Sequence, residues 1–172
     1  MPIFLLEVRA TFDFVSALTP APDNEWKISV KNPLNDFEVK EGVTVRSSEL
    51  VELENAHVAD AHLAVKFEGA SKYSTLTVLD AGSSALKPKK KQASRAPGPV
   101  TASEEWAPVL AVDCRGLEPC GYEPGVGEFA VTSEAGSVFE EEVDLSDDFC
   151  EYCEKGEASV GVEGFEWRWT AL

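Results

Sequence analysis

Residues 6–28 read LEVRATFDFVSALTPAPDNEWKI, and residues 110–131 read LAVDCRGLEPCGYEPGVGEFAV. Laid one under the other they run in step. Leu6 falls on Leu110, Val8 on Val112, Ala10 on Cys114 and Pro20 on Pro124; after one deletion Trp26 falls on Phe129 and Ile28 on Val131. The first stretch also alternates, with Leu6, Val8, Ala10, Phe12 and Phe14 on one side and Glu7, Arg9, Thr11 and Asp13 on the other. A period of two marks a strand with one buried face. Two copies of one β unit, each with an apolar sheet face to cover, are expected to pack about an approximate twofold axis.

The alternation returns at Trp26, Ile28 and Val30, at Leu63, Val65 and Phe67, at Leu76 and Val78, at Leu110, Val112 and Cys114, and at Phe165, Trp167 and Trp169. Turn formers separate these runs in TPAPDNE, KNPLND, FEGASK and YEPGVGE. The best candidate for a short helix is 48–64, through Leu50, Leu53 and Val58. The expected fold is all-β with few short helices: two pseudo-twofold related β-barrel or sandwich-like halves packed as one compact body. Residues 1–82 form the N-terminal repeat and 106–172 an acidic C-terminal repeat. Residues 83–105 read as a basic flexible linker, because 83–103 has almost no large apolar residues to offset the entropy of ordering.

The 172 residues include 15 Lys and Arg against 31 Asp and Glu, a formal charge of −16, and the apolar fraction of 44% is enough to build a core. Residues 104–172 alone carry 3 basic and 18 acidic groups. Such a chain repels nucleic acid and anionic membranes, which leaves a protein partner, and a basic one, as the expected ligand class. The run of Lys87, Lys89, Lys90 and Lys91 reads as a solvated basic loop or as a localisation signal. The opening MPIFLLEVRATFDF lacks the basic start and apolar centre of a secretory signal, and no run approaches the roughly 18 apolar residues of a membrane helix. A cytoplasmic location is expected, with the nucleus as the alternative through Lys87–Lys91. There the four cysteines are thiols or ligands before they are disulfides.

The stretches DCRGLEPCGYEP, SEAGSVFEEEVDL and YCEKGEASVGV, with LEVRATFDFVSALTP, EWKISVKN and STLTVLDAG before them, resemble the eukaryotic CXXC-motif-containing zinc-binding protein family. The resemblance covers 1–38, 62–82 and 106–169. It implies a small, mostly β monomer with no established enzymatic reaction and one structural zinc, held by two C-x-x-C hairpins of the N-terminal repeat. Those hairpins should follow WKISVK and precede STLTV, where this chain has Asn32-Pro33-Leu34-Asn35 and Phe67-Glu68-Gly69-Ala70. A structural zinc takes four thiolate or imidazole ligands. Asn32, Asn35, Phe67 and Ala70 supply none, so no metal is expected at this site and no cofactor overall, with zinc as the alternative. Phe67 and Phe37 are expected to fill the vacated position, with Pro33 and Asn35 forming the turn. The function that follows is a non-enzymatic binding or adaptor protein.

Cys150 and Cys153 also stand at C-x-x-C spacing, in DDFCEYC, but the resemblance brings no zinc to them. The internal repeat aligns them approximately with Phe67 and Ala70 of the first copy, which makes SEAGS at 133–137 their partner hairpin, and it offers no thiol. They support an alternative function, transient handling of a soft ion such as Cu(I) or zinc. Asp147, Asp148, Glu151 and Glu154 are expected to raise the thiol pKa and so disfavour redox chemistry. Cys114 and Cys120 stand at C-x5-C spacing, three residues further apart than that motif, with Cys114 facing inward. Arg115 and Glu118 flank Gly116 in CRGLEP, either fixing a bend or forming a binding surface for an acidic group. His57 and His62 share neither one helix face nor one strand face. The acidic run 140–148 lacks the spacing of a calcium loop, and GVGEFA reads as a turn.

Overall fold

The computed structural model describes residues 2–51, 61–87 and 96–172. The centre of the candidate helix, His57 and Lys89–Lys91 lie outside the described residues. Among the described residues the chain forms β1 (Ile3–Asp13), β2 (Val15–Pro20), β3 (Trp26–Asn32), β4 (Asn35–Val45), β5 (Leu63–Val65) and β6 (Ser74–Val78), then a 3-10 turn (Ser84–Leu86). The second half gives β7 (Ala107–Arg115), β8 (Glu118–Tyr122), β9 (Phe129–Ser133), β10 (Val138–Phe139), β11 (Phe149–Cys153) and β12 (Ala158–Ala171). The described residues contain no α-helix, and none that is long and apolar enough to cross a membrane.

The strands form a six-stranded sheet, β11-β12-β1-β7-β6-β5, and two three-stranded sheets, β10-β9-β2 and β4-β3-β8. Shifting every strand number by six reverses the large sheet onto itself and turns one small sheet into the other. The order is therefore that of a twofold arrangement. Each small sheet takes a hairpin from one half and a single strand from the other, since β2 pairs with β9 and β8 with β3. Residues 1–82 and 106–172 thus exchange strands rather than lie side by side.

Equivalent residues of a twofold arrangement must meet where the axis crosses. Leu6 stands opposite Leu110 in the antiparallel β1–β7 ladder, both buried. Trp26 packs edge-on against Phe129 with ring centroids 6.0 Å apart. These are two of the pairs that the internal alignment superimposes. The inward-facing side chains of β1 and β7, Leu6, Val8, Ala10, Val112 and Cys114, form the centre of the core. The alternation in β1 ends at Phe14, whose φ of 56° swings the chain into β2.

Both described ends of the stretch expected to be a linker are seated. Leu86 is buried with Leu5 and Ala111 on the outer side of the large sheet. Val100 is buried against β2, exchanging backbone hydrogen bonds of 2.8 Å each way with Leu18, and the Phe12 N–H donates to Ser103 Oγ at 2.9 Å. One large apolar residue is enough to seat each described end, although the average composition of the stretch is that of a loop.

The CRGLEP bend joins β7 to β8. Gly116 takes φ +79°, Leu117 plugs into the core, and the Ser74 hydroxyl donates to the Gly116 carbonyl at 2.9 Å. Arg115 is exposed at the end of β7, and a Glu118 oxygen lies 4.0 Å from Lys31 Nζ. A Cβ on residue 116 would meet Ser74 Oγ at 2.7 Å in a left-handed conformation that L side chains disfavour. Gly116→Ala is expected to cost about 1–2 kcal/mol from backbone strain, with a further loss from displacing Ser74. Urea denaturation checks this: a variant as stable as the parent would mean that the bend relaxes freely.

Candidate functional site

The four positions where the resemblance implies metal ligands come from two hairpins. β3 and β4 pair Lys31 with Val39 and Asn32 with Asn35, which leaves 36–38 unpartnered as a bulge on β4. The Asn32 side-chain oxygen accepts from the Leu34 N–H at 3.0 Å and that of Asn35 from the Phe37 N–H at 3.2 Å. Each amide thus closes a local Asx turn. On the second hairpin Phe67 is buried in the main core, 4% exposed, and Ala70 packs against that core. A hydrogen bond spans the two hairpins, from the Glu68 N–H to Glu38 Oε1 at 2.7 Å.

Phe37 does not fill the vacated position. It is 98% exposed and Leu34 95% exposed, because the bulge carries 36–38 away from the core and the turn projects beyond it. The packing that replaces a ligand is that of Phe67 and Ala70 alone. This donor set does not fit zinc: the two amide oxygens are committed to backbone N–H groups, and a phenyl and a methyl occupy the remaining positions.

The corresponding corner of the second half is built around a thiol. Cys153, at the end of β11, is buried, with Ser137 Oγ at 3.4 Å and Ser133 Oγ at 3.6 Å from its sulfur. The 133–137 hairpin is closed by a hydrogen bond of 3.0 Å from the Ser137 N–H to Ser133 Oγ. It does face the thiol, as the repeat implied, with hydroxyls in place of ligands. Cys150 lies three residues earlier on the same strand, so its side chain leaves the opposite face and is exposed; both are free thiols. The C-x-x-C pair therefore does not converge, and the soft-metal alternative loses its geometry.

The expected rise in thiol pKa is also reversed at Cys153. Hydrogen bonds from the Ser137 and Ser133 hydroxyls, and from the Gly156 and Lys155 backbone N–H groups, hold it below the ordinary thiol value. Donors in contact with the sulfur outweigh Asp147, Asp148, Glu151 and Glu154, whose exposed charges are screened by water. Cys114, by contrast, is pushed up to about 12 by burial, with Asp113 and Glu118 adding to the rise. Cys120 is exposed on β8. Both ring nitrogens of His62 are occupied, Nδ1 by the Val78 N–H at 2.9 Å and Nε2 by the Ser47 carbonyl at 3.0 Å. Among the described residues no group of three or more His, Cys, Asp or Glu side chains is placed to hold a metal.

One polar contact has no motif to mark it in the sequence. The Tyr122 hydroxyl donates to Glu128 Oε2 at 2.8 Å in the interior, and burial and the carboxylate raise the Tyr122 pKa. The Glu128 carbonyl accepts from the Ala21 N–H at 2.8 Å and from Asn24 Nδ2 at 3.2 Å, which ties the β8–β9 turn to the β2–β3 loop. The two residues are six apart across a glycine-rich turn, and only folding brings them together.

A sequence model of a family described as "CXXC motif containing zinc binding protein, eukaryotic" matches residues 5–170. The UPF0587 protein CG4646 of Drosophila melanogaster is 28% identical over 169 residues, covering 97% of this chain and 96% of that protein. The CXXC motif containing zinc binding protein of Bos taurus is 28% identical over 160 residues, 91% of each chain. A solved structure of a hypothetical protein from Plasmodium falciparum superimposes with a TM-score of 0.79 at 20% identity, covering 99% of this chain and 100% of the other. At that identity the likeness establishes the fold.

Because the folded thiol of Cys153 titrates below its unfolded value, its ionisation favours the fold above the unfolded thiol pKa, and that contribution is lost as pH falls through the folded value. Ser137→Ala removes the largest cause and is expected to move the Cys153 titration to higher pH, read by thiolate ultraviolet absorbance in a Cys150→Ser background. An unmoved titration would mean that the serines do not act on the sulfur.

Proposed function

This chain belongs to the eukaryotic CXXC motif containing zinc binding protein family, and from that membership we propose a binding protein that keeps the family framework while fastening its N-terminal hairpins with side chains instead of zinc. The observation that carries this reading is the chemistry at the four vacated positions: Asn32 and Asn35 spend their amide oxygens on Asx turns, and Phe67 is sunk in the core. A structural zinc contributes on the order of ten kcal/mol to folding, so its loss requires another source of stability. Burying a phenylalanine side chain gives about 2 kcal/mol, and the turns reduce the cost of closing the first hairpin.

The reading includes no reaction, since the sequence carries no nucleophile, base and orienting group at recognisable spacing. Its contact surface is the second half, where 18 acidic groups face 3 basic ones over residues 104–172. A monomer that binds a basic protein partner fits this charge best.

Metal analysis of protein purified without chelator tests the zinc-free reading. Far less than one zinc per chain is expected, with a melting temperature indifferent to chelator; stoichiometric zinc overturns the reading. Phe67→Ala is expected to lower stability by about 3–5 kcal/mol, the range for emptying a buried aromatic site. A loss below about 1 kcal/mol in denaturant titration would show that Phe67 does not fasten the hairpin.

A further inference from the structure

β10 ends one three-stranded sheet and β11 ends the six-stranded sheet, so among the described residues each has one edge without a partner strand. Between them lies a groove of about 520 Å³ lined by Phe139 of β10, Phe149 of β11, and Glu140, Glu141, Glu142 and Glu151. The two rings meet edge-on, centroids 6.0 Å apart, and make an apolar floor. The chain itself offers this rim no nearby cation in sequence: residues 116–154 carry twelve Asp and Glu and no Lys or Arg.

Some carboxylates elsewhere on the surface are matched, Glu7 by Arg168, Glu25 by Arg46, Glu123 by Lys27 and Glu166 by Arg9. None of the four groove glutamates forms an ion pair among the described residues. Like charges around an apolar floor repel one another, and a cationic ligand relieves that repulsion. Unpaired strand edges supply backbone donors and acceptors in a row, which an extended chain can satisfy. A bare metal ion is a poorer occupant, since no three carboxylates are placed to hold one among the described residues.

We propose that this groove binds an extended segment of a partner protein that alternates lysine or arginine with apolar residues, added as a strand along the β10 or β11 edge with an apolar side chain over Phe139 and Phe149. The proposal rests on the reading of the second half as an acidic contact surface, and it names the place and the chemistry of the partner.

The test uses the full chain and fluorescence anisotropy with a labelled peptide of alternating lysine and valine. A lysine–proline peptide of equal charge, which lacks the N–H groups needed for strand pairing at its prolines, serves as the comparison. The lysine–valine peptide is expected to bind about tenfold tighter than the lysine–proline peptide. The triple variant Glu140→Gln, Glu141→Gln, Glu142→Gln should weaken it about tenfold or more, and the equally charged Glu134→Gln, Glu154→Gln, Glu163→Gln no more than about twofold. Equal losses from the two triples overturn the groove but leave an acidic binding surface. Equal affinity for the two peptides overturns strand addition. Binding of neither peptide overturns the surface and the groove together. Self-association of the chain abolished by the groove triple would make a second copy the occupant and overturn the assignment of a basic partner.

Discussion

The antiparallel contact of β1 with β7 is the pairing on which the rest of the fold depends. Leu6 faces Leu110 at its centre, and each strand then accepts a hairpin from the other half on the far side: β11-β12 beside β1, and β5-β6 beside β7. An open sheet edge leaves backbone groups without partners, so neither half is complete alone. The exchange of β2 and β8 adds to this, because each small sheet needs a strand from the other half. One cooperative body follows, closed by a run of rings in the order Trp167, Tyr122, Trp26, Phe129 and Phe165, in which Trp26 of the first half meets Tyr122 and Phe129 of the second.

The twofold plan puts two equivalent corners at the ends of the molecule, and the chain has filled them differently. One has Asx turns with Phe67 behind them; the other has a thiol between two serine hydroxyls. Neither presents four convergent soft ligands. In the first corner the stability comes from burial, which has no directional demand, so the β3–β4 tip is free to bulge and expose Phe37 and Leu34. A tetrahedral ion would have fixed that tip; a phenyl ring fixes only its own hairpin.

Charge follows the same division. In the first half carboxylates are interleaved with lysines and arginines, and several pair across strands, as Glu25 does with Arg46 and Lys31 with Asp36. In the second half the cations run out, and repulsion builds where β10 and β11 leave edges uncovered. Edges of this kind are commonly protected by like charge, which discourages a second acidic copy while leaving a basic strand acceptable.

The sequence by itself determined β1, β3, β6 and β7 with their inward faces, and which residues of the two repeats are equivalent, because side-chain alternation and an internal repeat are local patterns that survive in one dimension. It also determined that thiolates are missing at the vacated positions, since ligand chemistry is a property of residue type. Tertiary structure alone decided the exchange of β2 and β8, the burial of Leu86 and Val100 inside a loop-like stretch, the outward throw of Phe37, and the opposite facing of Cys150 and Cys153. Each of these turns on register or on a neighbour far away in the chain. A period of two says which residues share a face; it does not say which strand will cover that face, where a bulge will shift it, or which hydroxyl will lie against a sulfur.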